Sequence, residues 1–155
     1  MKVALSPIVP TDVKLSADAT LIARLKTITL GERSTLARRA SGRVAGALLL
    51  DGEERIMRTA LENGRLTESV IVQAVLKPKT SAALVQAVSR HEKWCNRRDV
   101  QLALLRTEHL SLARALAFTR DMSAEQLAEI LPTSRLPEEI KNQLLRESSS
   151  RRAEP

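Results

Sequence analysis

The sequence predicts an all-α protein: a solenoid of stacked short helical hairpins, with about nine helices by hydrophobic periodicity. Three observations carry that prediction. The first is composition. Of 155 residues, 43% are apolar, and the chain has five Gly, one Phe, one Trp and no Tyr. Sheets are normally richer in aromatic residues, whereas Ala, Leu, Arg and Glu favour helix. The second is a junction that recurs in register. Ala60-Leu61-Glu62-Asn63-Gly64-Arg65-Leu66-Thr67 is followed by Leu104-Leu105-Arg106-Thr107-Glu108-His109-Leu110-Ser111, and then by Ile130-Leu131-Pro132-Thr133-Ser134-Arg135-Leu136-Pro137. Each copy reads as a helix end, a short loop with one buried Leu, and a new helix start. The third is spacing. Helix starts are predicted at 67, 81, 96, 111, 123 and 137, so each step is 12 to 15 residues. A two-helix period of about 28 residues is the mark of stacked hairpins. Helices this short are marginal alone and need neighbours to cover their apolar stripes.

The elements follow in order. Residues 1–15, with Pro7 and Pro10, read as an extended arm. A single helical domain is expected over 16–147. Its first helix has Leu21, Ile22 and Leu25 at helical spacing, with Ser16 or Asp18 as cap. Thr29-Leu30-Gly31 is expected to end it. A short helix from Glu32 to Ala40 faces Leu36 and Ala37 inward, and Ser41-Gly42 stops it. Val44 to Leu50 is apolar on nearly all sides and reads as central.

Asp51-Gly52-Glu53-Glu54 resembles a capping box for the next helix. That helix carries Ile56, Met57, Ala60 and Leu61 inward. Asn63-Gly64 is expected to end it in a left-handed turn. Thr67 starts another helix, and Pro78 prevents its continuation. Thr80 or Ser81, Asn96, Ser111 and Ser123 are the following caps. Pro137 fits the first position of a last helix, with Ile140, Leu144 and Leu145 inward. Leu66, Leu110 and Leu136 each precede a cap and can pack on the first turn of their own helix. The copy at Val75-Leu76-Lys77-Pro78-Lys79-Thr80-Ser81 is degenerate and lacks this Leu. Residues 148–155 contain no large apolar side chain, so a disordered tail is expected.

Composition also excludes functions. A single cysteine, Cys95, rules out an internal disulfide and a multi-cysteine metal site. No run of about 18 apolar residues exists to span a membrane. Met1 to Pro7 is too short and broken for a secretory signal, so a cytoplasmic location is expected. The net charge of +7 is uneven. Residues 77–120 carry nine Lys or Arg against three Asp or Glu, while residues 121–155 carry five against seven. Such a basic third can attract a polyanion, or simply reflect that Arg is a good helix former.

The stretch from Leu50 to Leu145 resembles bacterial α-solenoids of the HEAT-like and leucine-rich-repeat-variant kind. The likeness rests on short helices joined by polar turns, best matched by Ala60 to Glu68 and next by Ile130 to Glu139. It implies a right-handed solenoid that holds a partner. Some leucine-rich-repeat-variant proteins carry an iron–sulfur cluster on several cysteines, and with only Cys95 that role does not transfer. One HEAT-like group excises alkylated bases from DNA, and no residue here matches its site.

Candidate sites concentrate between Arg90 and Arg106. Arg90, Lys93, Arg97, Arg98 and Arg106 form a candidate surface for a polyanion or another partner. Trp94 lies among them. It would either stack on a base or fill a gap in a small-residue core. His91 and Cys95 have i, i+4 spacing, but two ligands are too few for structural zinc. Neither residue has a third group to orient it for nucleophilic chemistry. No Gly-rich phosphate loop, Gly-x-Ser-x-Gly or His-Glu-x-x-His is present. The expectation is therefore a non-catalytic binding or scaffold module without cofactor, with a protein partner first. Nucleic acid bound through residues 77–120 is the alternative.

Overall fold

The computed structural model describes residues 11–78 and 80–153. It is all-helical: among the described residues there are ten α-helices, one 3-10 turn and no strand. None of these helices is long and apolar enough to cross a membrane. The sequence predicted one domain over 16–147. The chain divides into two compact units, Met1–Ala74 and Val75–Pro155.

The first unit holds α1 (Thr11–Arg24), α2 (Leu30–Arg39), α3 (Gly42–Leu48), α4 (Glu54–Leu61) and most of α5 (Glu68–Leu76). Here α1 packs on α3, α2 on α3 and α4, and α3 on α4. Val44, Ala45, Leu48, Met57, Ala60 and Ile71 are buried at its centre. Small residues let the backbones approach. A Cβ on Gly42 would lie 2.6 Å from the Arg65 carbonyl oxygen, and one on Gly46 would run into the Val70 side chain.

Polar groups tie this unit together as well. Asn63, 3% exposed, donates its amide to the carbonyls of Ala37 at 2.9 Å and Ala40 at 3.1 Å. Those carbonyls belong to the end of α2, where helix carbonyls lack internal partners. Arg33 donates to both oxygens of Asp51, at 2.9 and 2.7 Å. Ser41 donates to the buried Asp18 carboxylate at 2.8 Å and also accepts from the Val44 N–H, capping α3.

The second unit holds α6 (Ala82–Arg90), α7 (Arg98–Leu105), α8 (Leu112–Thr119), α9 (Ala124–Ile130), a 3-10 turn (Leu131–Thr133) and α10 (Glu138–Ala153). In it α6 packs on α7, while α10 packs on both α8 and α9. Leu84, Val88, Trp94, Leu104, Leu127 and Leu144 are buried. Ser134 donates to the Leu105 carbonyl, 29 residues back, at 2.5 Å. Beside it the Arg135 N–H donates to the Arg106 carbonyl at 3.0 Å. A polar junction residue thus satisfies the carbonyl end of an earlier helix, as Asn63 does in the first unit.

Several expectations hold. Helices begin at 68, 82, 98, 112, 124 and 138, each within two residues of its predicted start. Leu66, Leu110 and Leu136 are all buried. Ser81 and Ser111 cap their helices, and Ser123 forms a capping box with Gln126.

Others need correction. The arm predicted over 1–15 is helical from Thr11, because Thr11 and Asp12 are helix-starting residues. Residues 1–10 lie outside the described residues. Thr29 does not end a helix. It opens α2 in a capping box with Glu32. Asp51 is not the N-cap of α4, which is Glu53 without a side-chain bond; its carboxylate does accept from the Glu53 N–H at 2.8 Å, as expected of Asp there, and holds Arg33 as well. No residue described takes the positive φ expected at Asn63-Gly64. The Asn63 side chain satisfies the carbonyls of α2 instead. Asn96 does not cap α7; Arg97 does, without a side-chain bond.

The tail expected to be disordered from 148 is helical through Ala153. Arg151 reaches back to the carbonyls of Arg120 and Thr119 at the end of α8. Ser148 is buried, and Arg152 pairs with Glu125 at 3.6 Å. Residues 154–155 lie outside the described residues. Leu145, expected inside, is 41% exposed because the buried stripe of α10 runs through Leu144.

Candidate functional site: a basic turn and a junction cleft

The basic residues separate into two places. Arg90 ends α6, Lys93 sits in the turn after it, Arg97 caps α7, and Arg98 is its first residue. All four are exposed. Among the described residues none of them forms an ion pair. Arg106 is at the other end of α7, a helix of about 12 Å at 1.5 Å per residue. It therefore does not join the turn.

Trp94 anchors the turn from beneath. It is 2% exposed, with Lys93 Nζ 4.4 Å from its ring centroid and the His91 ring centroid at 6.4 Å. The cation–π contact holds one charge over the indole. With so little of the ring exposed, no face is left for a base to stack on, and the gap-filling role holds. The Trp94 and Cys95 N–H groups both bond to the His91 carbonyl, and Arg97 N–H bonds to the Trp94 carbonyl. These bonds coil the connection tightly and bring Arg90, Lys93, Arg97 and Arg98 into one short segment.

The second place is a cleft of about 170 Å³ in the second unit. Three junction segments form its walls. One contributes Val75, Leu76, Pro78 and Thr80; the next, Arg106 to His109; the last, Thr133 and Arg135. The Arg135-to-Arg106 backbone bond places two arginines on adjacent strands of backbone. Among the described residues neither forms an ion pair. Glu108 also lines the cleft, and its carboxylate lies 3.4 Å from His109 Nε2.

The degenerate junction lines this cleft. In the other three copies a Leu directly precedes the helix-starting residue, as in Leu66-Thr67, Leu110-Ser111 and Leu136-Pro137, and each Leu is buried. In the copy at 75–81 that position is Thr80, ahead of Ser81. A shorter, polar side chain stands where Leu would pack. Its Oγ1 is buried and has no hydrogen-bond partner among the described residues. Leaving such a group unpaired costs about 1–3 kcal/mol. Sequence reasoning flagged the missing Leu and Arg106 but not Arg135. The available signal was that Arg106 and Arg135 follow matching helix ends.

An all-helical protein with an exposed basic turn and an arginine-lined junction cleft is the class these features define. No family model, curated protein or solved structure matches the chain.

Proposed function

We propose that the protein is a non-catalytic helical-repeat binding module. In this reading each unit is a short stack of right-handed, HEAT-like hairpins. One observation carries it: in two of the three junction copies a polar side chain reaches the carbonyl end of an earlier helix. Asn63 does so on Ala37 and Ala40, and Ser134 on Leu105. Packing of α1 on α3, α2 on α4 and α8 on α10 supports the same repeat. Such stacks present side chains from turns and helix ends on a rigid frame.

The partner proposed is a protein with an acidic segment, met at the turn of Arg90, Lys93, Arg97 and Arg98, in the cytoplasm. Four exposed cations, in no ion pair among the described residues and outnumbering Glu92 and Asp99 in the same segment, suit a partner that supplies carboxylates. The same observation favours nucleic acid as a second reading. Fluorescence anisotropy separates the two, using a labelled poly-Glu peptide and labelled single- and double-stranded DNA and RNA. Binding of the acidic peptide, lost in Arg97→Gln/Arg98→Gln, supports the first. Nucleic-acid binding alone supports the second, with a log–log salt slope near −0.7 to −0.9 per phosphate contacted. Binding of neither at low salt overturns both assignments of the turn.

A further inference from the structure

The cleft at the degenerate junction has features that the scaffold reading does not use. Its walls carry two unpaired arginines held side by side through their backbones. It contains a buried hydroxyl, Thr80 Oγ1, with no hydrogen-bond partner among the described residues. Its remaining wall is apolar, made by Val75, Leu76 and Pro78. The neighbouring carboxylate, Glu108, is turned to His109. A repeat protein gains nothing structural from replacing a buried junction Leu by Thr, because the swap removes packing and leaves a polar group unpaired.

We propose that this cleft binds a phosphate monoester with a short apolar stem. The oxyanion accepts from the guanidinium groups of Arg106 and Arg135, whose planar forks suit phosphate. Thr80 Oγ1 donates to a phosphate oxygen and gains the partner it lacks. The stem lies against Val75, Leu76 and Pro78. Size restricts the ligand. About 170 Å³ is close to the ~150 Å³ cavity that accepts one benzene ring. A phosphate with a small stem fits there, whereas a whole nucleotide does not. This inference goes beyond the scaffold reading and does not rest on it, because the cleft lies within one unit and away from the Arg97–Arg98 turn.

Calorimetric titration of the full chain with phenyl phosphate and with inorganic phosphate tests it. Phenyl phosphate is expected to bind at least ~10-fold more tightly than inorganic phosphate, because only the ester uses the apolar wall. Arg106→Gln and Arg135→Gln should each weaken phenyl phosphate by ~10-fold or more. Thr80→Leu, which restores the junction Leu, should abolish binding while raising Tm. If that variant fails to fold, the isosteric Thr80→Val should still weaken binding by ~3- to 10-fold. Arg55→Gln/Arg58→Gln, a charge-matched change in the other unit, should leave the affinity unchanged.

Four results would overturn the proposal. They are no binding at millimolar phenyl phosphate, equal affinity for inorganic phosphate, wild-type affinity in the cleft variants, and an equal loss in the Arg55/Arg58 variant. Any of these leaves the acidic-peptide test at the turn unaffected, so the two readings fail separately.

Discussion

The two units use the same junction but hold it differently. In the first, Gly42 and Gly46 bring helices into close approach, and three polar links run through Asp18, Arg33 and Asn63. It has no aromatic side chain; Phe118 and Trp94 both belong to the second unit. There Trp94 and Phe118 are buried, and Ser134, Arg135 and Arg151 meet helix ends directly. The basic turn and the cleft both lie in this second unit. The lesson is physical. Glycines let helices of the first unit meet at close range, whereas the second unit fills its core with large aromatic side chains and carries exposed cations at a turn.

The largest test of that contrast is Trp94→Ala. Loss of a buried Trp should cost about 3–5 kcal/mol, read as a fall in the urea midpoint. Ala60→Gly, at a small buried residue of the first unit, should cost less, about 1 kcal/mol. Next is Gly42→Ala. Intrinsic propensity alone would favour Ala in a helix by about 1 kcal/mol. The 2.6 Å approach to the Arg65 carbonyl should reverse that sign and destabilise by about 1–3 kcal/mol. A stabilised Gly42→Ala protein would break the claim that close backbone approach holds the first unit.

Asn63→Ala should cost about 1–3 kcal/mol, because two helix-end carbonyls lose their donor. Ser134→Ala removes one such bond and should cost less, about 1 kcal/mol. Equal costs would mean that the lacing does not scale with the bonds made. The smallest effect is expected from Arg151→Ala. Global stability should change by under about 1 kcal/mol, as for other exposed side chains. Amide hydrogen exchange over 148–153 should nevertheless speed up, since Arg151 ties that turn to α8. Unchanged protection there would show that the tail needs no such tie.

Much of the local structure was legible. Ser81, Ser111 and Ser123 stood where apolar periodicity began, and the backbone needs a side-chain acceptor at a helix start. Leu66, Leu110 and Leu136 were legible for the same local reason, since each can fold back on its own first turn. The errors came where a distant residue took over a local signal. Asp51 looked like the N-cap, but its carboxylate takes the Glu53 N–H just ahead of the helix and also holds Arg33, 18 residues earlier. Asn63-Gly64 looked like a left-handed stop, but α2 lies close enough to take the Asn63 amide. The tail looked too polar to fold, yet Arg151 finds carbonyls 31 residues back.

The candidate site was legible only in part. Arg90, Lys93, Arg97 and Arg98 were near in sequence and stayed near in space. Arg106 was grouped with them by sequence proximity, but the α7 helix carries it to the opposite end. Its neighbour there is Arg135.

By itself the sequence determined the helical class, the helix starts and the buried junction leucines, because caps and apolar periodicity act within a few residues. Only the tertiary structure decided the two units, the helical tail and the pairing of Arg106 with Arg135. It also placed Thr80, where the other copies have Leu, in the lining of the cleft. Those features depend on groups more than 20 residues apart meeting at helix ends, and no local pattern records which carbonyl a side chain will reach.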